Sequence, residues 1–392
     1  MNLSLLKEKV QDYIDKNIDN DPIQLLFKKS VFPNCTQQEI VEQIEAKAKA
    51  RKKLPTWFSS KGIYYPNKLN ISQTSSEVTA KYKADLVSGE TLIDVTGGFG
   101  VDTLAFSKKI QNVVYVEQNE DLAKIAEHNF LQLNANNIKV SHINGSVFLE
   151  QTHASYDWIY IDPSRRSESK ERVFLLKDCS PDVTTNLNLY FSKSNSILIK
   201  AGPLLDIKSG INELKNVKEI HIVALDNEVK EILWLLQKDY KDEPFIKTIN
   251  ITKSKEQLFT FNLKEEQEAI STYSEPLSYL YEPNVAILKS GAFICLGKKL
   301  NLNKLHKHSH LYTSDQLIDF PGRIFRIDKI EPFSKHSISA YKNGKANITS
   351  RNFPESVAFI RKKYKIKDGG DHYIFLTMDK EDNLILISCS KT

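Results

Sequence analysis

Apolar residues follow three different rhythms along the chain. Leu5, Leu6, Val10, Tyr13 and Ile14 recur at three- and four-residue intervals, as do Ile40, Val41 and Ile44 after the Pro33-Asn34 break. That is the spacing of a buried helix face, so residues 1–65 are expected to form a small helical domain. Its second helix ends in Lys47, Lys49, Arg51, Lys52 and Lys53 before Pro55. Cations suit the negative end of a helix and proline stops it, and the same cations also suit a contact with phosphates. From residue 91 short apolar runs alternate with helical stretches: TLIDV, a helix from Asp102, VVYVE, a helix from Glu120 to Leu133, KVSHI, DWIYID and SILIKAG. This rhythm predicts a parallel sheet covered by helices, an α/β domain over residues 66–240. After EIHIVAL (219–225) the pattern loosens. QLFTFNL and GAFICLG are expected as strands without clear crossover helices, with a domain boundary between 226 and 275.

Composition narrows the class. A chain of 392 residues exceeds one ordinary core. With 26% charged residues and no apolar run near ~18 residues, no membrane helix is expected. The N-terminus reads as an amphipathic helix, not a signal peptide, which implies a cytoplasmic protein. Four scattered cysteines without CxxC spacing suggest free thiols and neither a zinc site nor a disulfide framework. No metal is expected, since His306, His308 and His310 read as a solvated loop. The formal charge of +5 is uneven: between Arg323 and Lys367 stand 12 Lys and Arg against 3 acids. Such a field concentrates a polyanion, or is simply a solvated face.

Candidate chemistry begins at Asp94-Val95-Thr96-Gly97-Gly98-Phe99-Gly100, after a strand and before a helix, where glycines let the backbone approach a ligand. Glu117 ends the next strand and can accept from both hydroxyls of a ribose. A pyrophosphate needs a helix start free of negative charge. Here Asp102 opens the helix and Asp94 opens the loop, which suits a cationic amino-acid group. A dinucleotide oxidoreductase and an inert Rossmann scaffold are the competing readings. Asn144-Gly145-Ser146 follows the third strand, and Asp162-Pro163-Ser164-Arg165-Arg166 follows the fourth, at the sheet edge where such folds bind ligands.

The loop resembles the first motif of class I S-adenosylmethionine (SAM) methyltransferases. That resemblance implies Asp94, Thr96, Gly97, Gly98, Gly100 and Asp102 around the methionine part, Glu117 on the ribose, and Asn144 and Ser146 near the adenine. Thr96 stands where the family often has glycine, and Ser146 where it usually has an acid. Asp162 and Pro163 resemble the Asp/Asn-Pro-Pro-aromatic motif that holds a target nitrogen, with Ser164 and Arg165 replacing proline and the aromatic. Arg165 would then stack on a base or pair with a phosphate. Cys179, in Asp178-Cys179-Ser180-Pro181, resembles the nucleophilic Cys-x-Pro of C5-uridine methyltransferases, but it precedes SILIKAG and is expected to begin a helix, which favours nitrogen methylation without a covalent intermediate.

Over its whole length the chain resembles the Bacteroidetes-type class I methyltransferases with a helical N-terminal domain, a ferredoxin-like segment and a THUMP-like domain. The pieces that carry this are SQTSSEVTAKYKA, DVTGGFGVD, IDPSRR, YEPNVAILKSGAF, SRNFP and RKKYKIKDGGDHYIF. It implies a Rossmann-like catalytic domain, an α+β THUMP-like C-terminal region, SAM as methyl donor and RNA, tRNA or rRNA, as partner. The ferredoxin-like segment would occupy 275–317 and the THUMP-like domain 318–392. Arg323, Arg351, Arg361, Lys362, Lys363 and Lys365, interspersed with Tyr341, Phe353 and Tyr364, are the candidate RNA contacts. A methyltransferase with a non-RNA acceptor, and a non-catalytic RNA-binding or assembly protein, are the alternatives.

Overall fold

A computed structural model describes residues 1–165, with the backbone alone at Arg165, and residues 175–392. The chain divides into two compact units, Met1–Val217 with Leu233–Lys241, and Lys218–Ile232 with Asp242–Thr392.

The first unit opens with helices α1 (Glu8–Lys16), α2 (Pro22–Leu26), α3 (Gln37–Lys53), α4 (Pro55–Ser59), α5 (Lys68–Gln73) and α6 (Glu77–Leu86). Thr36 and Glu39 form a reciprocal capping box that starts α3, and Leu54 closes it directly before Pro55 opens α4. Leu5, Val10, Ile14, Leu25, Ile40, Val41 and Ile44 bury one face together. A second cluster joins the helices to the sheet that follows: Ala46, Ala50, Leu54 and Trp57 pack with Phe99, Val101, Tyr115 and Phe130. Trp57 is fully buried 4.5 Å from the Phe99 ring, a burial worth roughly 2–3 kcal/mol.

Next come β1 (Thr91–Asp94), α7 (Val101–Ser107), β2 (Asn112–Val116), α8 (Glu120–Gln132), β3 (Ile138–Ser141), α9 (Gly145–Gln151) and β4 (Tyr156–Ile161). The short β5 (Ser164–Arg165) and β6 (Cys179–Ser180) pair antiparallel, and α10 (Val183–Lys193), β7 (Ser194–Ala201) and α11 (Ile207–Glu213) complete the run. Strands order β3-β2-β1-β4-β7, all parallel. Each run expected as a strand up to SILIKAG is one. Cys179 differs: it lies in β6, and the helix starts only at Val183, because Asp182 supplies the side-chain cap for the Thr184 and Thr185 amides.

In the second unit β8 (Val217–Leu225) leads through β9 (Glu228–Gln237), whose last residues return to the first unit, to β10 (Phe245–Ile251) and β11 (Glu256–Asn262). β10 runs parallel to β8 and antiparallel to β11. Then follow α12 (Leu263–Glu268), β12 (Tyr279–Pro283), α13 (Val285–Ser290), α14 (Cys295–Lys299), β13 (Asn303–Lys304), β14 (Tyr312–Ser314) and β15 (Gly322–Pro332). The chain ends with α15 (Lys335–Ser339), β16 (Asn347–Ser350), α16 (Val357–Tyr364), β17 (Tyr373–Met378) and β18 (Leu384–Lys391). Its seven-stranded sheet orders β13-β14-β12-β15-β18-β17-β16, and β16 and β17 are its parallel pair around α16.

GAFICLG is not a strand. Residues 293–295 donate three amides to the Glu266 carboxylate at 2.8–3.0 Å and lead into α14, whose Cys295 and Leu296 are buried. A short apolar run has no periodicity that separates a buried strand from a buried helix turn. Of the three histidines expected in a solvated loop, His308 is exposed, but His306 is 4% exposed and bonds Asp382 at 2.7 Å. His310 stacks on Phe293 at 3.6 Å, and burial pulls it down to about 4.

Candidate active site

β1 delivers Asp94 at its last position, 1% exposed. The carboxylate accepts from the Thr96 amide at 3.0 Å and the Thr103 hydroxyl at 2.6 Å. Burial outweighs those bonds and pushes it up to about 7. Each glycine of the loop has its own reason. A Cβ on Gly97 would lie 2.2 Å from the Tyr115 ring, and on Gly100, where φ is 87°, 2.5 Å from Phe130. At Gly98, with φ 57°, a Cβ would meet nothing nearer than the Thr96 carbonyl at 3.7 Å. The packing beneath the loop therefore excludes side chains at two glycines, while the Gly98 face stays open for a ligand. The Gly98 amide donates to Glu117 at 2.9 Å, and the other Glu117 oxygen takes the Asn119 amide at 2.8 Å. The half-buried Glu117 is thus fixed beside the open face.

Thr96 joins this loop to the neighbouring strand end. Its hydroxyl accepts the Asp162 amide at 2.7 Å and lies 3.4 Å from an Asp94 oxygen. A glycine there would leave that amide without its partner, which accounts for the threonine. Asp162, about one-third exposed, pairs through Oδ2 with Lys200, whose side chain is 13% exposed. Sequence reasoning passed over Lys200. The signal was present: a cation inside the apolar run SILIKAG needs a buried partner.

Asp102 is placed differently from a ligand contact. Ser75 and Tyr160 each donate to it at 2.8 Å, and Lys83, fully buried, pairs with it at 3.3 Å. Burial acts to raise this carboxyl, but Lys83, Lys200 and the two hydroxyls outweigh it and hold it below its ordinary range. Its carboxylate is engaged inside the fold, and Ser75 ties the segment before α6 to the first turn of α7. Asn144 caps the Ser146 and Val147 amides at 3.0 and 3.3 Å and donates to Gln118. Gly145 is required because a Cβ would sit 2.3 Å from the Val95 carbonyl. Ser146 is half-buried. Pro163 follows Asp162 at the sheet edge, whereas the Arg165 side chain and Arg166 lie outside the described residues. Cys179 is buried with its thiol 3.7 Å from the Leu175 carbonyl.

Most candidate RNA contacts are already occupied. Glu282, 3% exposed, receives Arg323 on one oxygen and Arg351 on the other, at 2.9 Å for the second. Arg361 pairs with Asp368 at 2.6 Å, and Lys363 with Glu355 at 3.0 Å. Lys362 and Lys365 are exposed, as are Lys342, Lys345 and Lys367, and none of these five makes an ion pair among the described residues. Backbone pairing of Lys345 with Lys367 brings the two loops side by side. Tyr364 is buried, and Tyr341 and Phe353 pack on the same core, so the three aromatics are structural and not free stacking faces.

An acid-closed glycine loop on a parallel sheet, tied through Thr96 to an Asp-Pro strand end, defines a protein of the α/β methyltransferase class. Comparison agrees. Residues 279–321 match a ferredoxin-like domain model and 322–391 a THUMP domain-like model. A solved structure from Porphyromonas gingivalis W83, provisionally described as a methyltransferase, superposes with TM-score 0.89 at 31% identity, covering 98% of each chain. The chain belongs to the family of that protein. Ribosomal RNA small subunit methyltransferase J of Francisella tularensis subsp. holarctica is 23% identical over 210 residues, 50% of this chain and 76% of the relative. The same enzyme of F. tularensis subsp. tularensis SCHU S4 matches equally. Among the described residues no helix is long and apolar enough to cross a membrane, and no cluster of metal-ligating side chains is present.

Proposed function

We propose that the chain is a SAM-dependent methyltransferase acting on a base nitrogen of RNA. The observation that carries this reading is the Thr96 hydroxyl's bond to the Asp162 amide, which sets a nucleoside loop and a hydrogen-bond acceptor for an amino group side by side. When bound, SAM supplies a sulfonium methyl. The fit lies in the open face at Gly98 and the anchored Glu117, which would take the ribose hydroxyls. Asp94, Asp102, Asp162 and Glu117 outnumber the cations Lys83 and Lys200, an acidic balance favourable to a cation and adverse to a pyrophosphate. Asp162 and the Pro163 neighbourhood would receive the acceptor N–H and aim its lone pair, so the residues contribute chiefly by positioning. Asp162 would hold the acceptor N–H throughout the transfer, and the proton released from that nitrogen would leave to water. An rRNA substrate is supported by the names of the Francisella relatives, and RNA binding by the THUMP-like match and the exposed lysines.

Calorimetric titration tests the donor half: micromolar SAM binding, absent in Glu117→Ala and not reproduced by NADH. With labelled SAM and ribosomal or transfer RNA, Asp162→Ala should lose about 100-fold or more in transfer while keeping SAM affinity. Normal turnover in that variant would refute the acceptor assignment. RNA binding without SAM binding would move the protein to a scaffold role.

A further inference from the structure

We propose that Lys200 is a positioning residue for methyl transfer, orienting Asp162 so that one carboxylate oxygen is held and the other is presented to the acceptor N–H. The inference rests on the reading of the chain as a base-nitrogen methyltransferase. β4 and β7 are parallel neighbours with Ile161 opposite Ile199, so Asp162 and Lys200 are the next residues of the two strands. The ammonium thus comes from within a sheet strand paired to β4, a more rigid support than a loop. Its side chain is 13% exposed against 35% for Asp162: the cation lies on the inner side of the pair and the acid on the outer. Asp162 is held twice, by its amide on Thr96 and by Oδ2 on Lys200. Oδ1 makes no hydrogen bond among the described residues and is the atom left for a substrate.

A carboxylate needs such a hold because its terminal torsion is broad and roughly two-fold. Nearby charge makes the need greater. Asp94 and Asp102 lie close enough to Asp162 for their charges to be felt together at Asp94, and repulsion favours turning Asp162 outward. Lys200 opposes that rotation and also offsets charge at Asp102. Lys83 serves only the second task, being bonded to Ser75 and paired with Asp102, so the two lysines divide the work: Lys83 secures the start of the helix after the glycine loop, and Lys200 also secures Asp162.

The test is a kinetic comparison in the full-length protein with labelled SAM and RNA. Lys200→Met should lower kcat at least ~10-fold, with RNA KM and SAM affinity within about threefold of wild type, because the acceptor's aim is lost while both ligands still bind. Lys200→Gln keeps a donor near Oδ2 and should recover part of the turnover; it decides the matter alone if Lys200→Met does not fold. Combined with Asp162→Asn, Lys200→Met should add little to the worse single variant, since both act at one carboxyl. Unchanged kcat in a folded Lys200 variant would overturn the inference, as would independent, multiplying losses in the double variant. So would parallel loss of SAM binding, the mark of a fold element. If the wild-type chain transfers to no RNA, the underlying reading fails and the inference with it; if wild type transfers and the variant keeps its rate, the inference fails alone.

Discussion

In the first unit the acids Asp94 and Asp102 are buried and the cations that answer Asp102 and Asp162, Lys83 and Lys200, come from within the same core. In the second unit one buried acid, Glu282, holds Arg323 and Arg351, which are 48% and 36% exposed, while the exposed Lys342, Lys345, Lys362, Lys365 and Lys367 make no ion pair among the described residues. The same residue types therefore do opposite jobs. Buried charge in the first unit ties the glycine loop, the helix that follows it and the Asp162 strand end into one framework. In the second it organises a rim of arginines and leaves lysines free for long-range attraction. Burial and pairing, more than the count of charges, divide residues that hold the fold from residues available to a partner.

The sharpest way to break this comparison is through Asp94, whose burial pushes its carboxyl up to about 7. An acid whose pKa is raised by folding binds more protons folded than unfolded, so its share of stability falls as pH rises from about 4 to about 7. The span corresponds to an effect on the order of 4 kcal/mol. Chemical denaturation without SAM should show wild type losing stability over that window and Asp94→Asn losing markedly less; identical pH profiles would mean that Asp94 is not the group responsible. A bound cation should offset the loss, so SAM should raise the melting temperature more at pH 8 than at pH 5.5. Equal increments at the two pH values would detach the buried acids from the ligand.

Next in size is Glu282→Gln, which leaves two guanidinium groups facing a neutral amide. Breaking a fully buried pair costs roughly 3–5 kcal/mol; because both arginines are more than one-third exposed, about half of that is expected. The measurement is urea unfolding followed by a probe in the second unit. No change would mean that the Glu282 cluster does not support the fold, and that Arg323 and Arg351 are as free as their sequence positions suggest.

The alternation of apolar runs made the parallel sheet legible from residue 91 to Ala201, because each strand is short and flanked by a helix and the central ones are buried. The glycine loop was legible too, since acid, glycines and a second acid follow one another closely in sequence. What could not be read were partners distant in sequence: Lys200 on Asp162, Lys83 on Asp102, Glu282 beneath Arg323 and Arg351. A charge run such as RKKYKIK shows the cations but not which acids, Asp368 and Glu355 here, fold back on them. GAFICLG was misread for a similar reason, as its turn is fixed by Glu266 from another element.

The smallest effect separates the two sets of cations most directly. Lys362→Glu and Lys365→Glu remove exposed charges that have no ion pair among the described residues, so stability should stay within about 0.5 kcal/mol of wild type. RNA affinity should fall, and the dependence of log K on log salt should flatten by about one unit per neutralised phosphate contact. Arg361→Gln should behave in reverse: its bonds to Asp368 and the Ala346 carbonyl are lost, so stability drops by about 1 kcal/mol with little change in the salt slope. Filter binding across a salt series, paired with melting curves, reads both quantities on the same samples. If the lysine variants keep the wild-type slope while Arg361→Gln loses it, the paired cations are the RNA contacts and burial has been misjudged as the sorting principle. If the lysines alone carry the slope, the loops joined by Lys345 and Lys367 are where the phosphate backbone lies, and the arginine rim belongs to the fold.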